Sequence, residues 1–415
     1  MIGWGELTRV FGRIGILSFG GPAAQIALMH KELVEERDWL TEDQYLRALS
    51  FCMLLPGPEA MQLATYAGWR QRGILGGLIG GGLFVLPGAI VIMALALLYG
   101  AYGNLNFVQA LFLGVKATVV VIVIEALLKV AKRALTSFKA RLIALAAFVA
   151  LFFFALPFPL VIAVAALVGA YGAAGRGAGA DPIRLPWQNS LTVLAVGSMI
   201  WAAPILLLQS AHPILTDIAA FFAWLAVVTF GGAYAVLAYM TQAVVGEFGW
   251  LTTPQMMDAL GLAETTPGPL ILVTQFVGMV AAAEVGGTQL AIAAGAVTLW
   301  VTFVPCFIWI FAGAPLIDWL ADQPRLKAAL AGITAAVVGV IANLSLWFAM
   351  HVFFRDVTVI EAGPLRLSLP NLTSLDLTAI ILAGVAGTLL LWRKLNIIFV
   401  LLISVALSGA IGAVT

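Results

Sequence analysis

Four short runs of glycine and proline interrupt apolar segments, and their backbone offers the clearest chemistry in the chain. Ser18-Phe19-Gly20-Gly21-Pro22 and Leu55-Pro56-Gly57-Pro58 come first, and Phe230-Gly231-Gly232 and Pro267-Gly268-Pro269 repeat them further on. Proline suits the first position of a new helix, and glycine lets the backbone turn sharply before it. Each run therefore predicts one helix that stops and another that starts. A helix start presents free N–H groups and the positive end of the helix dipole, which together attract anions. Four such starts suit a compact, multiply charged oxyanion. One isolated break would be read as a packing kink, but two matched pairs favour a binding site. The candidate substrate-binding positions are thus Gly20, Gly21, Pro22, Pro56, Gly57, Pro58, Gly231, Gly232, Pro267, Gly268 and Pro269.

Side chains near the breaks extend this set. Gln25, Gln62 and Gln275, with Thr65 and Thr274, carry donors for anion oxygens. Glu59 directly follows Pro58, where a carboxylate repels an anion unless protonated; it either carries a coupled proton or caps the helix dipole. Glu264, three residues before Pro267, poses the same alternative. Lys116 and Glu125 stand within the apolar stretch 107–128, and ionisable groups at membrane depth are costly and functional candidates by default. Lys116 is the preferred charge partner for an anion, with outward snorkelling or structural pairing to Glu125 as the alternatives. Nine residues apart, those two cannot make an i,i+4 pair. Glu125 joins Glu59 and Glu264 as a candidate for proton coupling.

The elements that position these groups are membrane helices. The chain has 415 residues, of which 62% are hydrophobic and 10% charged, against roughly a quarter charged in soluble domains. Its mean hydropathy is +1.07. Twelve Trp, 42 Gly and 18 Pro fit a helical membrane bundle, and a net charge of +1 gives no footprint for nucleic acid. Apolar stretches long enough or nearly long enough to span occur at 74–99, 107–128, 142–156, 158–171, 191–208, 214–230, 288–312, 328–353, 377–391 and 397–411. Two further regions, 4–38 and 41–72, are mixed and interrupted. Lys129, Lys132, Arg133, Lys139 and Arg141 crowd one loop, which places it in the cytoplasm, and Arg70, Arg72, Arg176, Arg184, Arg393 and Lys394 fall on the same side. The N-terminus is expected there too, with no cleavable leader, because Met1 runs straight into a polar stretch.

Several features read as structural. The charged run His30–Asp38 reads as a solvated interfacial helix without a counterpart in the second half. Gly76, Gly77, Gly80, Gly81 and Gly82 make a small-residue surface for close helix packing. Cys52 and Cys306 read as apolar fillers. No phosphate loop, no metalloprotease or cysteine–histidine metal motif and no nucleophile elbow is present, so neither an enzyme nor a cofactor is expected.

The breaks belong to an internal repeat. At an offset of 211 residues (229 − 18), Ser18–Pro58 aligns without a gap on Thr229–Pro269, with 17 identities in 41 positions. Trp39-Leu40-Thr41 matches Trp250-Leu251-Thr252, and Ala233 stands where the first copy has Pro22. Counting each interrupted region as one crossing leaves an odd number of helices between equivalents, so the halves are expected to be inverted; counting both as re-entrant hairpins keeps the parity. The expected fold is an all-α polytopic membrane protein, two homologous halves as an inverted-topology repeat with broken helices, roughly 10–13 spans in all. Residues 1–175 form the first repeat, 176–212 a linker with one connecting helix, and 213–415 the second repeat.

Phe-Gly-Gly-Pro, with Phe-Gly-Gly-Ala as its second copy, and the twice-present Trp-Leu-Thr and Pro-Gly-Pro resemble the chromate transporter family in its long two-domain form. The resemblance is strong over 18–87 and good over 229–305. It implies chromate efflux across the cytoplasmic membrane, with sulfate as the related anion, and places the family's motif positions on the glycines and prolines above. Ala233 in place of proline puts one helix start in doubt. The partners it implies are chromate or sulfate and the lipid bilayer, with a homodimer left open; sulfate uptake and a passive anion channel are the alternatives.

Overall fold

Long apolar runs give this chain its helices, and the computed structural model describes residues 2–103, 105–171, 187–208, 212–230, 232–317 and 323–413. The first half supplies α1 (Trp4–Leu17), α2 (Gly21–His30), α3 (Glu42–Cys52), α4 (Glu59–Tyr102), α5 (Asn106–Ala134), α6 (Phe138–Phe152) and α7 (Phe158–Tyr171). After the middle of the chain come α8 (Trp187–Leu208), α9 (Pro213–Val228), α10 (Ala233–Thr241), α11 (Thr253–Thr265), α12 (Val273–Gly313), α13 (Pro324–Phe353), α14 (Leu377–Gly387) and α15 (Ile397–Gly412). Among the described residues five helices are long and apolar enough to cross a membrane, and four shorter apolar ones accompany them. The protein is an all-α polytopic membrane protein. One element lies outside that class: β1 (Val357–Ala362) pairs antiparallel with β2 (Leu365–Pro370) through a turn at Gly363, φ 60°.

The expected spans and the observed helices differ where backbone chemistry overrides hydropathy. The apolar stretch 142–156 stops being helical at Phe152, and Ala155 turns to φ 46°. Within α4, Arg72 and Gly73 (φ 63°, ψ −154°) break the helix and reverse it. The arms 59–71 and 74–102 fold back on each other. A Cβ on Gly80 would come 2.6 Å from the Ala64 carbonyl oxygen, and one on Gly77 3.1 Å from that of Thr65. The small-residue surface thus packs the two arms together, as its spacing implied. In α12 the same reversal falls at Gly286 and Gly287 (φ 70°, ψ −163°).

An arm of 13 residues reaches about 20 Å, too short for a bilayer core of about 30 Å. Its contacts show where it returns. Gln71 Nε2 donates to the Trp39 carbonyl at 2.7 Å, and Arg72 Nε to that of Ile2 at 2.6 Å. The Arg72 guanidinium also lies 4.8 Å over the Trp4 ring. His30 Nε2 meets Glu42 Oε2 at 2.7 Å. The start of α1, the end of α2, the start of α3 and the end of residues 59–71 therefore share one end of this hairpin pair. Both first-half interrupted regions are hairpins rather than single crossings, because their breaks turn the chain back.

Local geometry repeats between the halves. Thr41 and Gln44 form a capping box at α3, and Thr252 and Gln255 form the same exchange at α11. The π turn Lys31–Glu35 has its counterpart in the π turn Gln242–Glu247, so the charged run does have a second-half equivalent in backbone shape. Its charges are not all solvated. Glu32 is buried and holds Arg37 at 2.6 Å and Arg13 at 3.4 Å.

The chain forms two compact units. One comprises Met1–Gly100, Gly177–Val236 and Ala263–Gln323, and the other Ala101–Arg176, Leu237–Leu262 and Pro324–Thr415. Each draws on both sequence halves. In the second, α13 packs on α5, α6 and α7, and α5 on α14 and α15.

Candidate functional site

The glycine breaks lie together in the first unit. Gly20, Gly21, Gly57, Gly232 and Gly268 adopt φ of 85°, 76°, 107°, 96° and 87°, a region closed to most side chains. Gly231 lies outside the described residues. Helices start after every break: α2 at Gly21, α4 at Glu59, α10 at Ala233, and a short 3-10 turn from Leu270 leading into α12. The doubt over Ala233 is removed; Gly232 suffices to turn the backbone without proline.

Each copy grips the other. The Gly57 amide donates to the Thr229 carbonyl at 3.1 Å, and the Gly268 amide to the Ser18 carbonyl at 2.9 Å. These four residues are equivalent in pairs under the repeat. Ser18 Oγ bonds back to the Ile14 carbonyl at 2.6 Å, and Thr229 Oγ bonds to that of Leu225 at the matching position. The terminal carbonyls of α1 and α9 are thereby satisfied deep in an apolar unit, where an unpaired one is costly. The bonds also commit the Gly57 and Gly268 amides, so the donors left for an anion are those of the turns that follow.

The side chains make the two junctions unlike. Gln25 is buried, and its Nε2 donates to the Gly268 carbonyl at 2.7 Å and the Ser18 carbonyl at 3.3 Å, clamping one junction. Its counterpart in the repeat is Val236, which cannot. At the other junction Glu59 Oε1 lies 3.8 Å from where a Cβ on Gly232 would stand, and the residue equivalent to Glu59 is Leu270. Glu59 at the first turn of α4 also meets the favourable end of the dipole.

Gln62 Nε2 donates to the Pro56 carbonyl at 2.7 Å, leaving Oε1 without a partner among the described residues. Gln275 is fully buried, and neither atom of its amide has one. Buried amides are nearly always paired, so the unmet donor and acceptor of Gln275 make it a candidate contact for a polar group. Thr65 and Thr274 spend their hydroxyls on the Met61 and Ile271 carbonyls, at 3.0 and 2.8 Å. Glu264 is buried at the end of α11. Pro22, Pro56, Pro58, Pro267 and Pro269 flank the glycines, and all but Pro22 are buried.

Lys116 and Glu125 lie in the second unit. Lys116 Nζ pairs with Asp258 Oδ1 at 2.9 Å, and Asp258 is wholly buried on α11. Glu125 instead holds Lys129 at 2.6 Å, one helical turn away. The pairing of Lys116 with Glu125 is therefore replaced by one across helices. Asp258 was the residue to notice, a lone carboxylate in the apolar run Met256–Leu262. Ser18 and Thr229, which act through their carbonyls, carried no side-chain signal.

Known proteins bear on this arrangement. A family model described as "Chromate transporter" matches residues 5–170 and 216–412. A chromate transport protein of Cupriavidus metallidurans is 33% identical over 338 residues, covering 81% of this chain and 80% of its own. A probable chromate transport protein of Synechococcus elongatus is 32% identical over 348 residues, with 81% and 82% covered. A chromate transport protein of Pseudomonas aeruginosa is 29% identical over 406 residues, with 96% and 90% covered. No solved structure matches.

Proposed function

The chain belongs to the chromate transporter family, a family of transport proteins rather than enzymes, and we propose that it exports chromate across the cytoplasmic membrane. The observation that carries this reading is the reciprocal pair of bonds, Gly57 to Thr229 and Gly268 to Ser18. It gathers the four helix starts of the breaks in one unit, where their first-turn amides suit a tetrahedral dianion. The substrate-binding set at the breaks is Gly20, Gly21, Pro22, Gln25, Pro56, Gly57, Pro58, Gln62, Gly231, Gly232, Pro267, Gly268, Pro269 and Gln275; Lys116, in the second unit, is a separate candidate cation for the anion. The exchange is what a two-fold relation between copies would produce, which supports an inverted repeat of two halves, 1–175 and 213–415.

Export needs no ATP. Moving a dianion out down an inside-negative potential releases about 2.3 kcal/mol per charge per 100 mV. For two charges that is about 4.6 kcal/mol, or about a thousandfold gradient. Glu59 beside Gly232 supports a coupled proton, since a neutral carboxyl removes the repulsion that a carboxylate exerts on the anion; Glu125 and Glu264 are lesser candidates.

Chromate flux into inside-out vesicles holding the protein, at a set potential and with sulfate as competitor, tests the reading. Saturable uptake that follows the potential and slows with sulfate is expected. Sulfate movement tied to a cation gradient, with no chromate flux, would reverse both direction and substrate.

A further inference from the structure

A cavity of about 260 Å³ lies wholly within the second unit, apart from the glycine breaks. Its walls are the end of α6 (Leu151, Phe152), the last turns of α13 (Asn343 to His351) and the π turn Gln242–Glu247. Val359, Arg366 and Ser368 of the β hairpin complete it. The hairpin is fastened there by the Arg366 amide, which donates to the Phe153 carbonyl at 2.8 Å.

Gln242, Thr253, Asn343, His351, Arg366 and Ser368 bring polar groups to the lining, the Thr241 hydroxyl being spent on the Leu237 carbonyl at 2.8 Å, and none of the lining residues is Asp or Glu. Two amides, two hydroxyls and a guanidinium converge without a carboxylate to repel an anion. Arg366 Nε has Glu361 Oε1 at 3.5 Å, but both side chains are mostly exposed, so that pair is weak and leaves the other guanidinium N–H groups available. His351 Nδ1 is engaged by the Trp347 carbonyl at 2.8 Å, which fixes the ring. The wall at Gln242 is itself a π turn, a backbone irregularity frequent at functional sites. A water occupies about 30 Å³ of liquid volume, so the cavity has room for a tetrahedral oxyanion with part of its hydration shell.

We infer that this cavity is a second oxyanion site, held by Arg366, Gln242 and Asn343 and separate from the breaks. It rests on the reading of the protein as an oxyanion transporter. Trp347 lines the cavity, and chromate absorbs where indole emits, so chromate bound there quenches that residue.

Tryptophan quenching by chromate in the purified full-length chain tests the inference. A saturable component is expected in the native protein and lost in Trp347→Phe, and sulfate reverses it. Its half-saturating chromate concentration rises about tenfold in Arg366→Gln, the scale of one lost charge-assisted hydrogen bond. Arg366→Lys, which keeps the charge, recovers part of the shift. Quenching that is unchanged in Trp347→Phe, or equal half-saturation in Arg366→Gln and the native chain, overturns the inference. Asn343→Leu gives a second reading of the same shift. Chromate flux in a Gly57→Val variant reports on the breaks instead, so the two readings fail separately.

Discussion

The amide of Gly57 donates to the carbonyl of Thr229 at 3.1 Å, and the equivalent residues of the other copy, Gly268 and Ser18, make the same bond in the opposite sense at 2.9 Å. Each Pro-Gly-Pro break is thus stitched to the Phe-Gly-Gly break of the other half. Each copy thereby completes the junction of the other, and neither half holds all four helix starts.

Gly57→Val and Gly268→Val are expected to abolish chromate flux while the protein still inserts. Their φ values of 107° and 87° exclude a β-branched residue. A Cβ on Gly57 would lie 2.9 Å from Cys306 Sγ, and one on Gly268 3.1 Å from Leu272 Cδ1. Backbone strain of about 1–3 kcal/mol falls directly on the junctions. Gly82→Ala, where nothing stands within 4 Å, is the control and retains flux. Vesicle flux measured beside membrane-fraction abundance checks this, and normal flux in both valine variants contradicts it.

Gln275→Leu separates stability from binding. Removing a buried amide with no partner among the described residues should raise the melting temperature of the purified protein, because such a group costs about 1–3 kcal/mol. The same change should raise half-saturating chromate in flux assays about tenfold, the equivalent of about 1.4 kcal/mol. A raised melting temperature with unchanged half-saturation would assign Gln275 to packing alone.

Lys116→Met should be strongly destabilising, since it leaves Asp258 charged and wholly buried; breaking such a pair costs about 3–5 kcal/mol. Lys116→Met with Asp258→Leu should regain most of that loss in thermal unfolding. If Lys116 meets the anion, the double variant keeps a raised half-saturation despite its restored stability. Recovery of both returns the pair to a structural role.

His30 gives a pH dependence outside the spans. Its hydrogen bond to Glu42, ahead of that to Glu35, raises its pKa above the usual 6.5. A raised folded-state pKa stabilises fully below the unfolded value, and that contribution is lost as pH rises through the folded one. The α2–α3 end should therefore loosen as pH rises beyond the usual imidazole value of 6.5, read as faster amide exchange at Tyr45, whose hydroxyl donates to the Ile26 carbonyl at 2.6 Å. Glu42→Gln should move the change to lower pH. Exchange independent of pH, after correction for intrinsic rates, would contradict this.

The glycine breaks and the helices after them were legible because glycine and proline act on their own backbone. The repeat was legible from identity alone. What escaped were through-space relations. Nothing in the run Met256–Leu262 says that Asp258 meets Lys116 on another helix. Nor does Gln25 announce the two carbonyls it holds, one of them 243 residues away. The reversal at Gly73 was hidden by the apolar stretch behind it, where hydropathy reads composition and not direction. The β hairpin escaped for a related reason: its strands are mostly exposed and carry no buried face to give a period of two.

The central claim is that a tetrahedral oxyanion sits at the glycine breaks. Anomalous diffraction at the chromium absorption edge, from crystals of the full-length protein grown with chromate, locates the metal atom of the anion directly. A chromium peak within hydrogen-bonding reach of the first-turn amides at Gly21, Glu59, Ala233 or Leu270 is the expected result. Chromium bound only elsewhere, with those amides unliganded at saturating chromate, would contradict the account.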